Sequence, residues 1–151
     1  MFIKKFPSSE LLFEKNQTMM FNVDDIKVDF VLYPFTWLQP FETLEGIRLL
    51  SVNDIIPMKL QAASNRNAKK DYWDLAFLLK QYSLAEMLKI FKAKFPQIDI
   101  GFIIHSLTDF EKADTEPDPD TYINITWPEI KLTLNREVKN YTEGLLMVIQ
   151  K

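Results

Sequence analysis

Residues 46–63 read GIRLLSVNDIIPMKLQAA, and within this stretch the period of the chain changes. Gly46–Leu50 has the short apolar character of a strand end. From Ser51 onward the apolar residues Ile55, Ile56, Leu60 and Ala63 recur at helical spacing, with Ser51 and Asn53 placed to cap the helix start. Everything before this point reads with period two or as turn. LLFEK (11–15) and TMMFNV (18–23) lead through a Val-Asp-Asp turn at 23–25 into IKVDFVLY (26–33), the strongest strand, alternating and rich in β-branched residues. Pro34 ends it, PFTWLQPF (34–41) is a proline-punctuated loop, and GIRLL supplies one more short strand.

Everything after it reads as helix. A second helix is expected from Ala68 to Tyr82, after the Asn65–Asn67 break. A third, SLAEMLKIFKAKF (83–95), opens with the Ser-x-x-Glu spacing of a capping box at Ser83 and Glu86. GFIIHSLTDF (101–110) gives a short fourth helix, EKADTEPDPDTY (111–122) a solvated acidic loop, and TWPEIKLTLNREVKNY (126–141) a last helix with Thr126 as cap and Pro128 in its first turn. Strands first and helices after predict an α+β fold, a small mixed or antiparallel sheet followed by a helical region. The 151 residues are expected to form one domain, strand-rich over 1–50 and helical over 51–151.

Composition removes several classes of function. With no cysteine there is no disulfide framework, thiolate metal site or Cys nucleophile, and one histidine, His105, rules out a multi-His site. The formal net charge of −3 leaves nucleic-acid contact to a local basic patch. Three glycines are too few for Gly-rich phosphate loops. No apolar run approaches the roughly 20 residues that span a bilayer, and the N-terminus lacks a signal-peptide core, so the expected location is cytoplasmic, with no membrane partner. His105, between Ile104 and Leu107, reads as an ordinary helix residue. Met19, Met20, Met58 and Met87 read as core filler.

Charge sits oddly at KLQAASNRNAKKDYWDL, residues 59–75. Lys59 follows Ile55 by four residues, inside the apolar stripe, where an ammonium requires a partner or a wet pocket. On the next helix Asp71 and Asp74 share a face with Leu75, Leu78 and Tyr82. An inter-helix salt bridge from Lys59 to Asp71 or Asp74 accounts for these charges without any ligand. Lys69 and Lys70 oppose the macrodipole in a first helical turn, and with Arg66 they form a candidate anion-binding corner beside backbone N–H groups.

Three stretches together resemble the AbiEii/AbiGii-type nucleotidyltransferase toxins of type IV toxin–antitoxin and phage-abortive-infection systems. IKVDFVLYP is similar to the family strand that bears the third active-site carboxylate, which falls on Asp29. GIRLLSVNDIIPMKLQAASNRNAKKDYWDLAFLL is similar to the family's later motif, a helix with a lysine followed by Arg, Lys-Asp and a second Asp. SLTDFEKADTEPDP is similar to the tail segment. The resemblance implies that Asp29 is a Mg²⁺ ligand or general base toward an acceptor hydroxyl and that Lys59 contacts nucleotide phosphates. It implies also that Asp71 or Asp74 orders or activates that region. The implied partners are a nucleoside triphosphate, an RNA acceptor such as a tRNA end, and a cognate antitoxin.

The family's Gly-Gly/Ser-Thr turn and Asp-x-Asp strand have no counterpart here. The one Asp-x-Asp is Asp118-Pro119-Asp120, inside a proline-rich loop. The chain is therefore expected to begin inside the fold, and to be an incomplete or inactive transferase. The alternative is a non-catalytic interaction module that kept the scaffold. Lys27 shares a face with Asp29 and offers it a purely local ion pair. A neighbour missing from the Asp29 strand would leave an exposed sheet edge, a template for homo-oligomers.

Overall fold

The structure, a computed structural model, describes residues 2–149. It is α+β as expected, and it divides into two compact units between Thr36 and Trp37.

The first unit is a short helix α1 (Phe2–Lys5) and a three-stranded antiparallel meander in the order β1 (Glu10–Lys15), β2 (Thr18–Val23), β3 (Ile26–Val31). Both hairpin turns carry two residues at positive φ, Asn16-Gln17 (50° and 63°) and Asp24-Asp25 (50° and 65°). That is the mirror-image turn whose twist matches the flanking strands, and Asn and Asp enter it at little cost. A bulge between Leu11 and Phe13 shifts the β1 register. On one face Phe21 and Val23 are buried, and the Phe2 ring lies 5.1 Å from Phe21 and 4.8 Å from Phe30. Aromatic edge-to-face contact gives this small sheet its core.

The second unit begins with a hairpin, β4 (Glu42–Leu44) and β5 (Ile47–Leu49), turned at Glu45-Gly46 with φ of 50° and 79°. Thus the strand-rich N-terminal third is shared between the units, and β4 lies in a stretch that the sequence did not mark as strand. Six helices follow: α2 (Val52–Arg66), α3 (Lys69–Leu78), α4 (Leu84–Lys94), α5 (Ile100–Ser106), α6 (Glu111–Asp114) and α7 (Trp127–Ile149).

Their ends are set by local chemistry. The Ser51 hydroxyl accepts from the Asp54 N–H at the start of α2. Asn67, in the left-handed region at φ 46°, closes α2 by donating its N–H to Ala63. The capping box at Ser83 and Glu86 forms in full, and its hydrogen bonds hold the Glu86 carboxyl below the usual carboxylate range. At α7 the Thr126 N–H and hydroxyl both donate to Glu129.

The helices enclose one apolar core of Ile56, Leu60, Tyr72, Leu75, Met87, Leu88, Phe91, Phe95, Ile103, Leu107, Ile130 and Leu134. Two boundaries differ from expectation. α3 stops at Leu78, because residues 79–82 turn sharply to admit the Ser83 cap, and α7 runs well past Tyr141.

Inside this core lies a charged pair. Lys94 Nζ is 2.5 Å from Asp54 Oδ1, with side-chain exposures of 1% and 0%. Asp54 also accepts from the N–H groups of Leu38 and Gln39 and from the Ser51 hydroxyl. Burial alone would push the Asp54 carboxyl up; Lys94, the two N–H groups and Ser51 outweigh it and hold the carboxyl below its ordinary value. The Lys94 ammonium lies 5.0 Å from the Trp37 ring centroid, an additional cation–π contact.

Candidate functional site

α2 and α3 pack against each other on either side of the Asn67 turn, and the charges of residues 59–75 resolve there into two separate pairs. Lys59 Nζ lies 2.7 Å from Asp74 Oδ2. Arg66 forks onto Asp71, its Nε 2.6 Å and Nη2 2.5 Å from the two carboxylate oxygens. Of the two aspartates open to Lys59 in the sequence, Asp74 is the partner. Asp71 is fully buried and belongs to Arg66, whose guanidinium is held further into its charged form by that bond.

Lys59 follows Ile55 on the apolar stripe, but at the stripe's solvent edge and not in core. Its side chain is 37% exposed and that of Asp74 44%, so the pair lies at the surface rather than in core. The reason is that Ile55 too is only half-buried, so this edge of α2 borders solvent.

Lys69, Lys70 and Arg66 do not form an open anion corner. Glu116 reaches the start of α3 and accepts the Lys69 N–H at 2.7 Å, where an anion would dock. Lys69 Nζ is 3.1 Å from Asp118, and its side chain is 7% exposed. It lies 5.3 Å from the Trp127 ring centroid. Lys70 is exposed and, among the described residues, forms no ion pair.

The acidic stretch 111–122 is accordingly no free solvated loop. Asp114 accepts from Trp127 Nε1 at 2.6 Å and pairs with Lys131 at 2.8 Å. The hydrogen bonds from Lys131 and Trp127 lower its carboxyl. Lys112 Nζ donates to the Arg66 carbonyl, and Asn67 Nδ2 to Asp109. Tyr72 donates its hydroxyl to the Asp109 carbonyl at 2.6 Å, and burial followed by the charges of Asp109, Asp71 and Glu116 pushes that phenol upward. Arg66 and Lys69 are satisfied by the chain's own carboxylates, and one aromatic hub, Trp127 stacked on Trp73 at 5.6 Å, holds the acidic stretch on α3.

Beside the Lys59–Asp74 pair lies a cavity of about 430 Å³ walled by Val52, Ile55, Phe77, Leu78, Tyr122 and Ile123. Helix repeats assemble it. Ile55 and Lys59 are four apart on α2, and Asp74 and Phe77 three apart on α3, so each helix offers one apolar and one charged group to the same side. Phe77, Tyr122 and Ile123 carried no signal in the sequence.

Asp29 lies in the first unit, on β3, opposite Met20 in register. Its carboxylate is exposed and 3.5 Å from Lys27 Nζ. Among the described residues no group of three or more His, Cys, Asp or Glu could hold a metal ion. A single carboxylate neutralised by a neighbouring lysine does not fit Mg²⁺, which takes an octahedron of oxygens.

The model of the nucleotidyl transferase AbiEii toxin family, of type IV toxin–antitoxin systems, matches residues 6–141. The chain belongs to this family. The match spans both units, from before β1 into α7. The uncharacterized protein aq_aa25 of Aquifex aeolicus (strain VF5) is 34% identical over 146 residues, covering 94% of this chain and 70% of its own length. No solved structure matches. As an AbiEii-family chain it is of the nucleotidyltransferase type, and among its described residues no helix is long and apolar enough to cross a membrane.

Proposed function

We propose that the chain binds a nucleoside triphosphate through Lys59, as part of a nucleotidyl transfer to an RNA acceptor such as a tRNA end. The observation that carries this is the Lys59 ammonium, steadied by Asp74 at 2.7 Å and a third exposed, at the rim of an apolar cavity of nucleoside size. An exposed ion pair contributes at most about 1 kcal/mol, so Lys59 can exchange Asp74 for a multiply charged phosphate at little cost. Asp74 positions Lys59. Asp71 holds Arg66 and so braces the corner between the helices.

In the transfer, an acceptor hydroxyl forms a bond to the α-phosphorus, the bond to pyrophosphate breaks, and the hydroxyl proton passes to a base. Asp29 is the carboxylate proposed for that base. Two-metal phosphoryl chemistry uses about three carboxylates, and Asp29 is alone in its unit in that role. The chain by itself is therefore proposed to bind nucleotide without transferring it. Mg²⁺-dependent turnover would need carboxylates beyond Asp29. A cytoplasmic location and an antitoxin partner accompany this reading.

The second reading, a non-catalytic interaction module, draws support from the apolar surface of the first unit, where Leu11, Leu12, Ile26, Val31 and Leu32 are exposed. Nucleotide titration of wild type and Lys59→Met separates the two. Binding that Lys59→Met weakens supports the first reading. The absence of nucleotide binding at millimolar concentration favours the second.

A further inference from the structure

We infer that the cavity beside Lys59 and Asp74 is a nucleobase subsite, in which Phe77 and Tyr122 stack on the base of the bound nucleotide; this deepens the nucleotide-binding reading and rests on it. Phe77 is 46% exposed although its neighbours Ala76 and Leu78 are buried. Tyr122 is wholly exposed. Both rings border the same apolar cavity, one from α3 and one from the segment that precedes α7. Lys80 Nζ lies 6.0 Å from the Phe77 ring centroid, and no other ring contact occupies either aromatic among the described residues. Rings left this exposed lose the burial that normally justifies them, and rings gathered at one cavity mark a surface that a partner covers.

The cavity is amphiphilic in the way a nucleotide is. Its wall is aliphatic, from Val52, Ile55 and Ile123, and its single charged feature is the Lys59–Asp74 pair at the rim. A triphosphate suits the ammonium end, and the sugar and base suit the apolar end. The volume of about 430 Å³ lies in the range of small-molecule pockets, roughly 300–1,000 Å³. Besides Asp74 no acidic or amide side chain borders the cavity among the described residues. Stacking by ring faces accepts every base, since every base has a π-face. The site therefore takes all four ribonucleotides with similar affinity.

The test is titration of the full chain with each of ATP, GTP, CTP and UTP and, separately, with inorganic tripolyphosphate, read by amide NMR shifts. All four nucleotides should bind tighter than tripolyphosphate, with shifts at residues 77 and 122–123. Phe77→Ala and Tyr122→Ala should each weaken the nucleotides about tenfold, the order expected for loss of one stacking partner, and leave tripolyphosphate unchanged. Phe77→Trp and Tyr122→Phe should keep the affinity, which a mere loss of folding would not permit. Nucleotide affinity unmoved by both alanine variants, or equal for nucleotides and tripolyphosphate, overturns the subsite. Lys59→Met should weaken both classes of ligand. If it moves neither while the ring variants still weaken the nucleotides, the phosphate role of Lys59 falls and the base subsite stands. If no ligand binds, both fall.

Discussion

The Lys94 ammonium and the Asp54 carboxylate meet at 2.5 Å across forty residues of chain, both sealed from water, and together they tie α4 to the start of α2. Through its remaining hydrogen bonds Asp54 also fixes the backbone at Leu38 and Gln39. Removing one member leaves a buried charge without its counterion, which costs about 3–5 kcal/mol. Lys94→Met should lower the denaturant midpoint accordingly, and Asp54→Asn should do so as well. Chemical denaturation of the two single variants checks this, and losses below about 1 kcal/mol would mean that water reaches the pair.

The same carboxylate predicts an acid limb. The folded-state pKa of Asp54 is depressed from 3.8, so its contribution is complete above that value and is lost as the pH falls through the lower folded value. Stability of the wild type should fall in this window. The double variant Asp54→Asn/Lys94→Met, which has no charge to protonate there, should show a shallower fall. Denaturation at a series of pH values between about 2 and 5 measures the difference.

Lys59 and Asp74 should behave oppositely. At 37% and 44% exposure the pair is a surface one, and its loss should cost under about 1 kcal/mol. Lys59→Met and Asp74→Asn are expected to melt within that margin of wild type while altering nucleotide binding. A loss of several kcal/mol from either would make the pair a structural fastener and remove the case for a ligand.

Glu116 and Asp118 should mask the start of α3. In the wild type, sulfate at low salt should leave the Lys69 amide unshifted, because Glu116 already accepts its N–H and Asp118 holds its ammonium. Glu116→Gln/Asp118→Asn should expose a weak anion site that fades as salt rises. NMR titration of both proteins decides it, and equal shifts in the two would show that the carboxylates do not guard the corner.

The β3 edge should support self-association. β3 pairs on one side with β2 and is an outer strand of its sheet, with Ile26, Phe30 and Val31 exposed. Unpaired N–H and C=O groups along such an edge are a template for another strand, and a two-fold pairing is the commonest closure. Lys27 and Asp29 moderate the tendency. Light scattering from low to high micromolar concentration should show a rise in mass; a constant monomer mass would refute the edge.

What the sequence determined by itself was local. The switch of period at Ser51, the Asp24-Asp25 turn, the caps at Ser51, Ser83 and Thr126, and the α+β order all follow from spacing and turn chemistry within a few residues. The motif around Lys59 carried the family in the same way, as a linear pattern. Which carboxylate meets which cation was decided by the tertiary structure alone. Asp71 and Asp74 are nearly equivalent as positions on a helix, and only the crossing of α2 over α3 gives one to Arg66 and the other to Lys59. Asp54 stands in the first turn of α2 and Lys94 in the last turn of α4, each favoured by its own helix dipole, so nothing local announces that they are partners. The acidic stretch 111–122 looked solvated because its charges repel one another in sequence. Its docking depends on Trp127, whose indole N–H and stacked face bring Asp114, and with it Glu116 and Asp118, against α3. Ion pairs between distant segments depend on where packed helices put their ends, and that is a property of the whole core, not of any stretch of chain.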